Sequence, residues 1–112
     1  MFINAWDMAW FGYLYLRNGK WQGRQIVDEK WIQKARTPGV TNPNYGYANW
    51  FLNADLPAAP KSSVTFRGGG DNIVYIDWQN NLVVVVRWID RPALNTFIEQ
   101  IVASNKPRTS VP

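Results

Sequence analysis

Hydrophobic positions fall into three kinds of run along this chain, and each kind predicts a different element. Residues 5–17 carry Trp6, Met8, Ala9, Trp10, Phe11, Tyr13, Leu14, Tyr15 and Leu16 with almost no polar face between them. Asn4 stands as an N-cap with Asp7 at the third helical position, a variant of the capping box. Asn18-Gly19 closes the run as a C-terminal stop. The expectation is a helix that is apolar all round, hence buried on most sides, with something covering it. Residues 21–27 read as a loop or short extended segment. Asp28 then caps a second helix, with Trp31, Ile32 and Ala35 on one face and Thr37-Pro38-Gly39 as its end.

The period changes to two in the next stretch. Residues 45–52 alternate and predict a strand, followed by an irregular connection over 53–62 with Pro57 and Pro60. Residues 63–67, 72–78 and 82–88 predict three further strands, the last two joined at Gln79-Asn80-Asn81. Leu82-Val83-Val84-Val85-Val86 is the longest apolar run in the chain and implies cover on both faces. Asp90 caps a last helix with Pro92 in its first turn. There Leu94, Phe97, Ile98, Ile101 and Val102 keep the spacing of an amphipathic helix lying on the sheet. Residues 105–112 form a tail, leaving one domain over 1–104. The predicted class is α+β: an antiparallel sheet of about three to four strands, two N-terminal helices and a C-terminal one.

Composition narrows the chemistry. The chain has no Cys and no His. Thiol nucleophiles, disulfides, thiolate metal sites and histidine bases are therefore excluded within it. Seven Trp, five Tyr and five Phe predict a dense core or an aromatic-lined cleft. Trp21, Tyr45, Tyr47, Trp50 and Trp78 read as inter-layer packing, with a cleft wall as the functional alternative. The net charge of +4 is spread over scattered Lys and Arg. A solvated surface explains that better than a nucleic-acid groove. No apolar run approaches the ~20 residues of a membrane span. Met1 is not followed by the three regions of a secretory signal. The compartment stays open between periplasm and cytoplasm.

Gly68-Gly69-Gly70 is the candidate functional feature. Consecutive glycines let another group approach the backbone closely and let N–H donors face an oxyanion. A plain flexible turn is the alternative. The run lacks the Gly-Lys-Ser/Thr ending of a phosphate loop and leads into a strand. Asn72 is either a turn residue or a cleft donor. Asp55, Asp71, Asp77 and Asp90 are dispersed, which disfavours paired-carboxylate chemistry or a metal site.

Four segments together resemble the beta-lactamase-related serine hydrolases, most closely the class C-like branch with its esterases, penicillin-binding-protein-like hydrolases and aminohexanoate-oligomer hydrolases. Residues 4–16 look like the "SA-x-D-x-A-x-F-G-x-L-x-L" helix of that family. Asn18-Gly19-Lys20-Trp21-Gln22-Gly23, with Ile26-Val27 and Trp31-Ile32, is similar to the stretch that follows it. Tyr45-Gly46-Tyr47-Ala48-Asn49-Trp50 looks like "Y-G-Y-G-x-W". Residues 66–77 and 82–86 resemble the hairpin "G-x-G-x-Q/N-x-I-x-V-D-P…D-L-V-V-V". The order matches, and the resemblance covers residues 4–103.

The resemblance implies a partial beta-lactamase/transpeptidase-like fold, the C-terminal part of an enzyme that cleaves amide or ester bonds through an acyl-enzyme. It implies no cofactor and no metal. The family's S-x-x-K and Y-x-N motifs lie upstream of what this chain contains. None of Ser62, Ser63, Ser104 and Ser110 is followed three residues later by Lys. Tyr47-Ala48-Asn49 fits Y-x-N as a string but sits in the wrong segment. The third family motif, K-T-G, falls on Phe66-Arg67-Gly68, where only the glycine matches and Phe66 replaces the cation. Gly69 would then give the oxyanion N–H, with Arg67, Gly68, Gly70 and Asn72 beside the substrate. Arg67 would meet an anionic group or simply form a surface ion pair. The chain alone is expected to be inactive, since a nucleophile needs an adjacent base. Its expected partner is the missing N-terminal part of the fold, or a second copy, because the truncated sheet has an open edge. A small amide or ester substrate belongs only to the intact enzyme. The competing readings are a non-catalytic aromatic module for carbohydrate or peptide, and a basic nucleic-acid binder.

Overall fold

A computed structural model describes residues 3–51 and 56–105. Asp55, the 53–55 part of the irregular connection, and the tail beyond 105 lie outside the described residues. Helix α1 spans Ala5–Leu16, a hairpin pairs β1 (Lys20–Trp21) with β2 (Arg24–Gln25), and α2 spans Glu29–Ala35. A four-stranded antiparallel sheet follows, in the order β3 (Trp50–Phe51), β4 (Val64–Gly68), β5 (Asn72–Asp77), β6 (Leu82–Val86). A 3₁₀ turn at Arg91–Ala93 leads into α3, Leu94–Ser104. The class is α+β.

The sheet divides the side chains between two layers because successive strand residues point to opposite faces. Val64, Phe66, Val74, Ile76, Val83 and Val85 pack with Tyr15 of α1 and Ile32 and Ala35 of α2. Ile73, Tyr75, Val84 and Val86 pack with Leu94 and Ile98 of α3. β5 is the buried spine, with residues 73–77 all buried. Its neighbours cover both edges and a helix layer covers each face.

The cap of α1 forms as its sequence predicts: the Asp7 N–H donates to Asn4 Oδ1 at 2.8 Å. Its burial does not. Gly12 and Tyr15 are buried, whereas Trp6 and Trp10 are 77% and 52% exposed. The helix docks along one line only, and Gly12 defines it. A Cβ there would stand 2.6 Å from Val83 and 2.9 Å from Val74. The outer aromatic surface is covered only in part among the described residues, by Trp21 against Trp10 and Tyr13.

Three other expectations change. The segment 21–27 holds a tight hairpin whose two-residue turn, Gln22-Gly23, has φ of 48° and 79°. Both central residues of a type I′ turn need positive φ. The expected strand over 45–52 is instead a fold-back. Tyr45 bridges Trp50, Gly46 N–H donates to Asn49 O, and Ala48 sits at φ 60°. Among the described residues of this stretch, Trp50–Phe51 alone joins the sheet, and residue 52 lies outside them. Buried Asn49 sends its side-chain N–H to Ala35 O at 3.1 Å, tying this turn to the end of α2. In α2 the Asp28 cap holds, but Trp31 turns out to stack on Tyr47 and is 48% exposed. Asp90 occupies an N-cap position without a side-chain capping bond, and its carbonyl accepts from Ala93 N–H instead.

β6 has the predicted cover on both faces, yet every one of its residues is only half-buried. Among the described residues it is the edge strand, paired with β5 alone. The turn between the two is pinned from inside. Asp77 is fully buried and accepts from Tyr75 Oη at 2.8 Å, Asn80 N–H at 2.9 Å and Asn80 Nδ2 at 2.7 Å. Trp78 on this turn donates its indole N–H to Tyr15 O and carries Arg36 over its ring at 4.0 Å. Two helices and a turn meet there.

Burial, then the Asp77 carboxylate, pushes the Tyr75 phenol above its ordinary value, with the Ser63 hydroxyl opposing. The folded chain thus keeps a proton that the unfolded chain releases above about pH 10. Stability from this group is complete below that pH and falls as pH rises through the gap. Urea unfolding on the two sides of pH 10 will show a steeper alkaline loss for the native chain than for Tyr75→Phe, which costs about 1 kcal/mol at neutral pH. Gly12→Val will lower stability by about 1–3 kcal/mol through overpacking against Val74 and Val83.

Candidate functional site

The glycine run lies where β4 ends, and the chain around it is held by its neighbours. Asn72 is the clip. Its side-chain N–H donates to Gly69 O at 2.8 Å, and its Oδ1 accepts from Trp88 N–H at 3.2 Å and Arg87 Nε at 3.4 Å. The Asn72 amide is therefore committed to the turn and to the strand end opposite it. Gly70 has φ 81°, and a Cβ there would lie 2.0 Å from the Trp88 ring. The indole lies against backbone that only glycine leaves bare. Asp71, at φ 57°, takes Arg91 through Nε at 3.0 Å and through the other guanidinium nitrogen at 2.7 Å. This ion pair is solvent-exposed, so it contributes up to about 1 kcal/mol.

A surface cleft of about 340 Å³ opens beside this turn. Phe66, Arg67, Gly68, Gly69, Asn72 and Val74 form one side, with Ile3 and Met8 at the start of α1, and Arg87, on the other. Four of the five sequence-derived site residues line it: Arg67, Gly68, Gly69 and Asn72. Gly70 does not, since Trp88 covers it. Gly69 has open space above its Cα, so a ligand atom can reach van der Waals contact with its backbone. Arg67 is half-buried and donates from Nε to Thr65 Oγ1 at 3.0 Å. It also borders a second cavity of about 300 Å³ with Leu56, Arg91, Pro92, Leu94 and Asn95. Arg87 brings a guanidinium to the cleft and donates to Ile3 O at 3.1 Å. The cleft thus combines one cation, bare backbone and an apolar wall, while the Arg67 side chain, one position on from Phe66, turns to the α3 face beside Thr65.

Sequence reasoning missed Trp88 and Arg87. Trp88 is 70% exposed and has φ 58°, a conformation rare for a bulky residue. The missed signal was the pairing of a glycine run with an aromatic just past the hairpin. The five aromatics weighed as cleft walls stand elsewhere. Tyr45 packs on Trp50, Tyr47 on Trp31, and Trp21 on Trp10 and Tyr13. Trp10, Phe11, Leu14, Trp21 and Ile26 enclose a separate apolar hollow of about 330 Å³.

No activated nucleophile accompanies the cleft among the described residues. Ser63 lies near a tyrosine, with Oγ 3.5 Å from Tyr75 Oη. Both side chains are fully buried on the α3 side, and Tyr75 holds its proton more tightly than usual. That tyrosine cannot serve as a base at neutral pH. Among the described residues, no group of three His, Cys, Asp or Glu could hold a metal, and no helix is long and apolar enough to cross a membrane.

No protein-family model matches the chain, and no curated protein matches it either.

Gly70→Ala will displace the Trp88 ring. The expected readout is a changed tryptophan emission and a stability loss of about 1–3 kcal/mol, from strain at positive φ and overpacking together. An unchanged spectrum would mean that the ring does not rest on Gly70 in solution.

Proposed function

We propose that this chain is the C-terminal portion of a beta-lactamase-like serine hydrolase acting on amide or ester bonds through an acyl-enzyme. The observation that carries this reading is spatial. The helix and the hairpin that bear two of the four motif resemblances wall one cleft, and bare glycine backbone lies at its mouth. In this reading Gly69 N–H stabilises the oxyanion and Arg87 holds an anionic part of the substrate, while Arg67, which turns to the α3 face, braces the strand from behind. Phe66 turns toward Phe11 and Tyr15, so the position that carries a cation in the family serves packing here. The nucleophile and its base come from outside these 112 residues, because no S-x-x-K occurs within them. The partner that supplies them is the N-terminal part of the same fold.

A second reading draws on the apolar hollow at Trp10, Trp21 and Ile26: a non-catalytic module that binds carbohydrate or peptide on aromatic surface. Quenching of tryptophan emission by soluble oligosaccharides or short peptides, abolished by Trp10→Ala and untouched by Arg67→Ala, would favour it over the hydrolase.

The chain alone is expected to hydrolyse an activated ester no faster than its heat-denatured control. Joined to a segment carrying S-x-x-K and Y-x-N, it should gain activity. Gly69→Pro, which removes the backbone N–H, should then lower kcat by about 10²-fold. Ester hydrolysis by the isolated chain above the denatured control would overturn the assignment.

A further inference from the structure

A cavity of about 530 Å³ lies between the last turn of α1 and the β1–β2 hairpin, and it shares no lining residue with the cleft beside the glycine run. Its walls come from one continuous segment, residues 13–23, so its shape is set locally. The backbone of that segment is braced from behind. Gly19, at φ 84°, passes so close to the next turn that a Cβ would stand 2.1 Å from Val27 O. Its carbonyl accepts from Ile26 and Val27 N–H at 2.8 and 3.1 Å. The Gln25 side-chain amide donates to Asn18 O at 2.8 Å and to Val27 O at 2.6 Å. Asn18 and Gln22 hold left-handed conformations, φ 56° and 48°, on this braced frame.

The side chains at the rim are uncommitted where the backbone is not. Arg17, Asn18, Lys20 and Gln22 all line the cavity. None of these side chains makes a hydrogen bond or an ion pair among the described residues. Turn residues elsewhere behave differently: the side chains of Asn72, Asp77 and Asn80 each bond within their own turn. Cations at a helix C-terminus ordinarily serve its last carbonyls. Here those carbonyls take backbone N–H groups instead, Tyr13 O from Arg17, Leu14 O from Gly19 and Tyr15 O from Asn18. No carboxylate lines the cavity. The Arg17 guanidinium rests over the Tyr13 ring, 5.9 Å from its centroid.

The lining specifies its ligand. Arg and Lys only donate, so together they call for an anionic group, whereas the Asn and Gln amides both donate and accept and so match hydroxyls. Tyr13 and Leu16 add an apolar wall suited to the C–H face of a sugar ring. The volume falls within the range of small-molecule sites. We propose that this cavity binds an anionic sugar, a hexose ring carrying a carboxylate or a phosphate. Arg17 and Lys20 hold the anion, and Asn18 and Gln22 hold the hydroxyls. The inference does not depend on the hydrolase reading, and it uses none of the residues that enclose the hollow at Trp10 and Trp21.

Isothermal titration calorimetry on the full chain tests it, with glucuronate, glucose phosphorylated on its primary hydroxyl, plain glucose and inorganic phosphate as probes. An anionic sugar should bind saturably, and the tighter of the two identifies the anion as carboxylate or phosphate. Plain glucose and inorganic phosphate should each bind about 10-fold more weakly or worse. Lys20→Gln should weaken the anionic sugar by about 10-fold. Lys34→Gln, which removes the same charge from an exposed position on α2, should leave it unchanged. Asn18→Gly keeps the left-handed backbone and removes the amide, so it should weaken the sugar and spare inorganic phosphate. Absence of saturable binding by both anionic sugars would overturn the proposal. So would inorganic phosphate binding as tightly as either, or equal losses in Lys20→Gln and Lys34→Gln.

Discussion

Everything on the α1 side of this molecule depends on a missing side chain at position 12. Gly12 lets the helix lie directly on Val74 and Val83, at a distance no other residue would permit. That close approach brings Tyr15 into the core and its carbonyl to the Trp78 indole. It also sets Met8 and Ile3 against the end of β4, which is what turns a sheet edge into a cleft. Glycine is a poor helix former by about 1 kcal/mol relative to alanine. Here that cost is offset by contact with two branched side chains on adjacent strands.

The cleft owes its form to contacts made behind and beside its lining. Trp88 backs Gly70, Arg91 holds Asp71, and Asn72 joins the two ends of the β4–β5 connection to the start of the segment after β6. Three residues in a left-handed conformation, Gly70, Asp71 and Trp88, sit within this small region. Strained backbone of that kind persists only where surrounding contacts over-determine it. The turn is a braced platform and not the freely bending linker that three glycines suggest on paper.

Much of the fold was legible in the pattern of side chains. The caps at Asn4 and Asp28, the three long strands and the α3 stripe all rest on local rules, and each formed close to its expected bounds. What was not legible came from tertiary geometry. The stretch around Tyr45 alternates like a strand, but Ala48 adopts a positive φ and the backbone folds back so that Asn49 can serve the end of α2. The uniform aromatic surface of α1 could not say which line would dock, because Gly12 decided that and glycine carries no hydrophobic signal. In the site, Gly68 and Gly69 could be named from sequence. Trp88 and Arg87 could not, because their role comes from a hairpin that carries them back beside residues 70 and 72.

The connectivity also sets an order of assembly. β4, β5 and β6 follow one another through connections of three and four residues, 69–71 and 78–81, and α3 comes directly after. These are local contacts, and local contacts form early because little chain entropy is lost in closing them. Helix α1, by contrast, must return across more than fifty residues of chain to reach β5 and β6. The docking line of α1, Gly12 and Tyr15, is therefore made before the strands that receive it, and it stays without them until β5 and β6 have been synthesised.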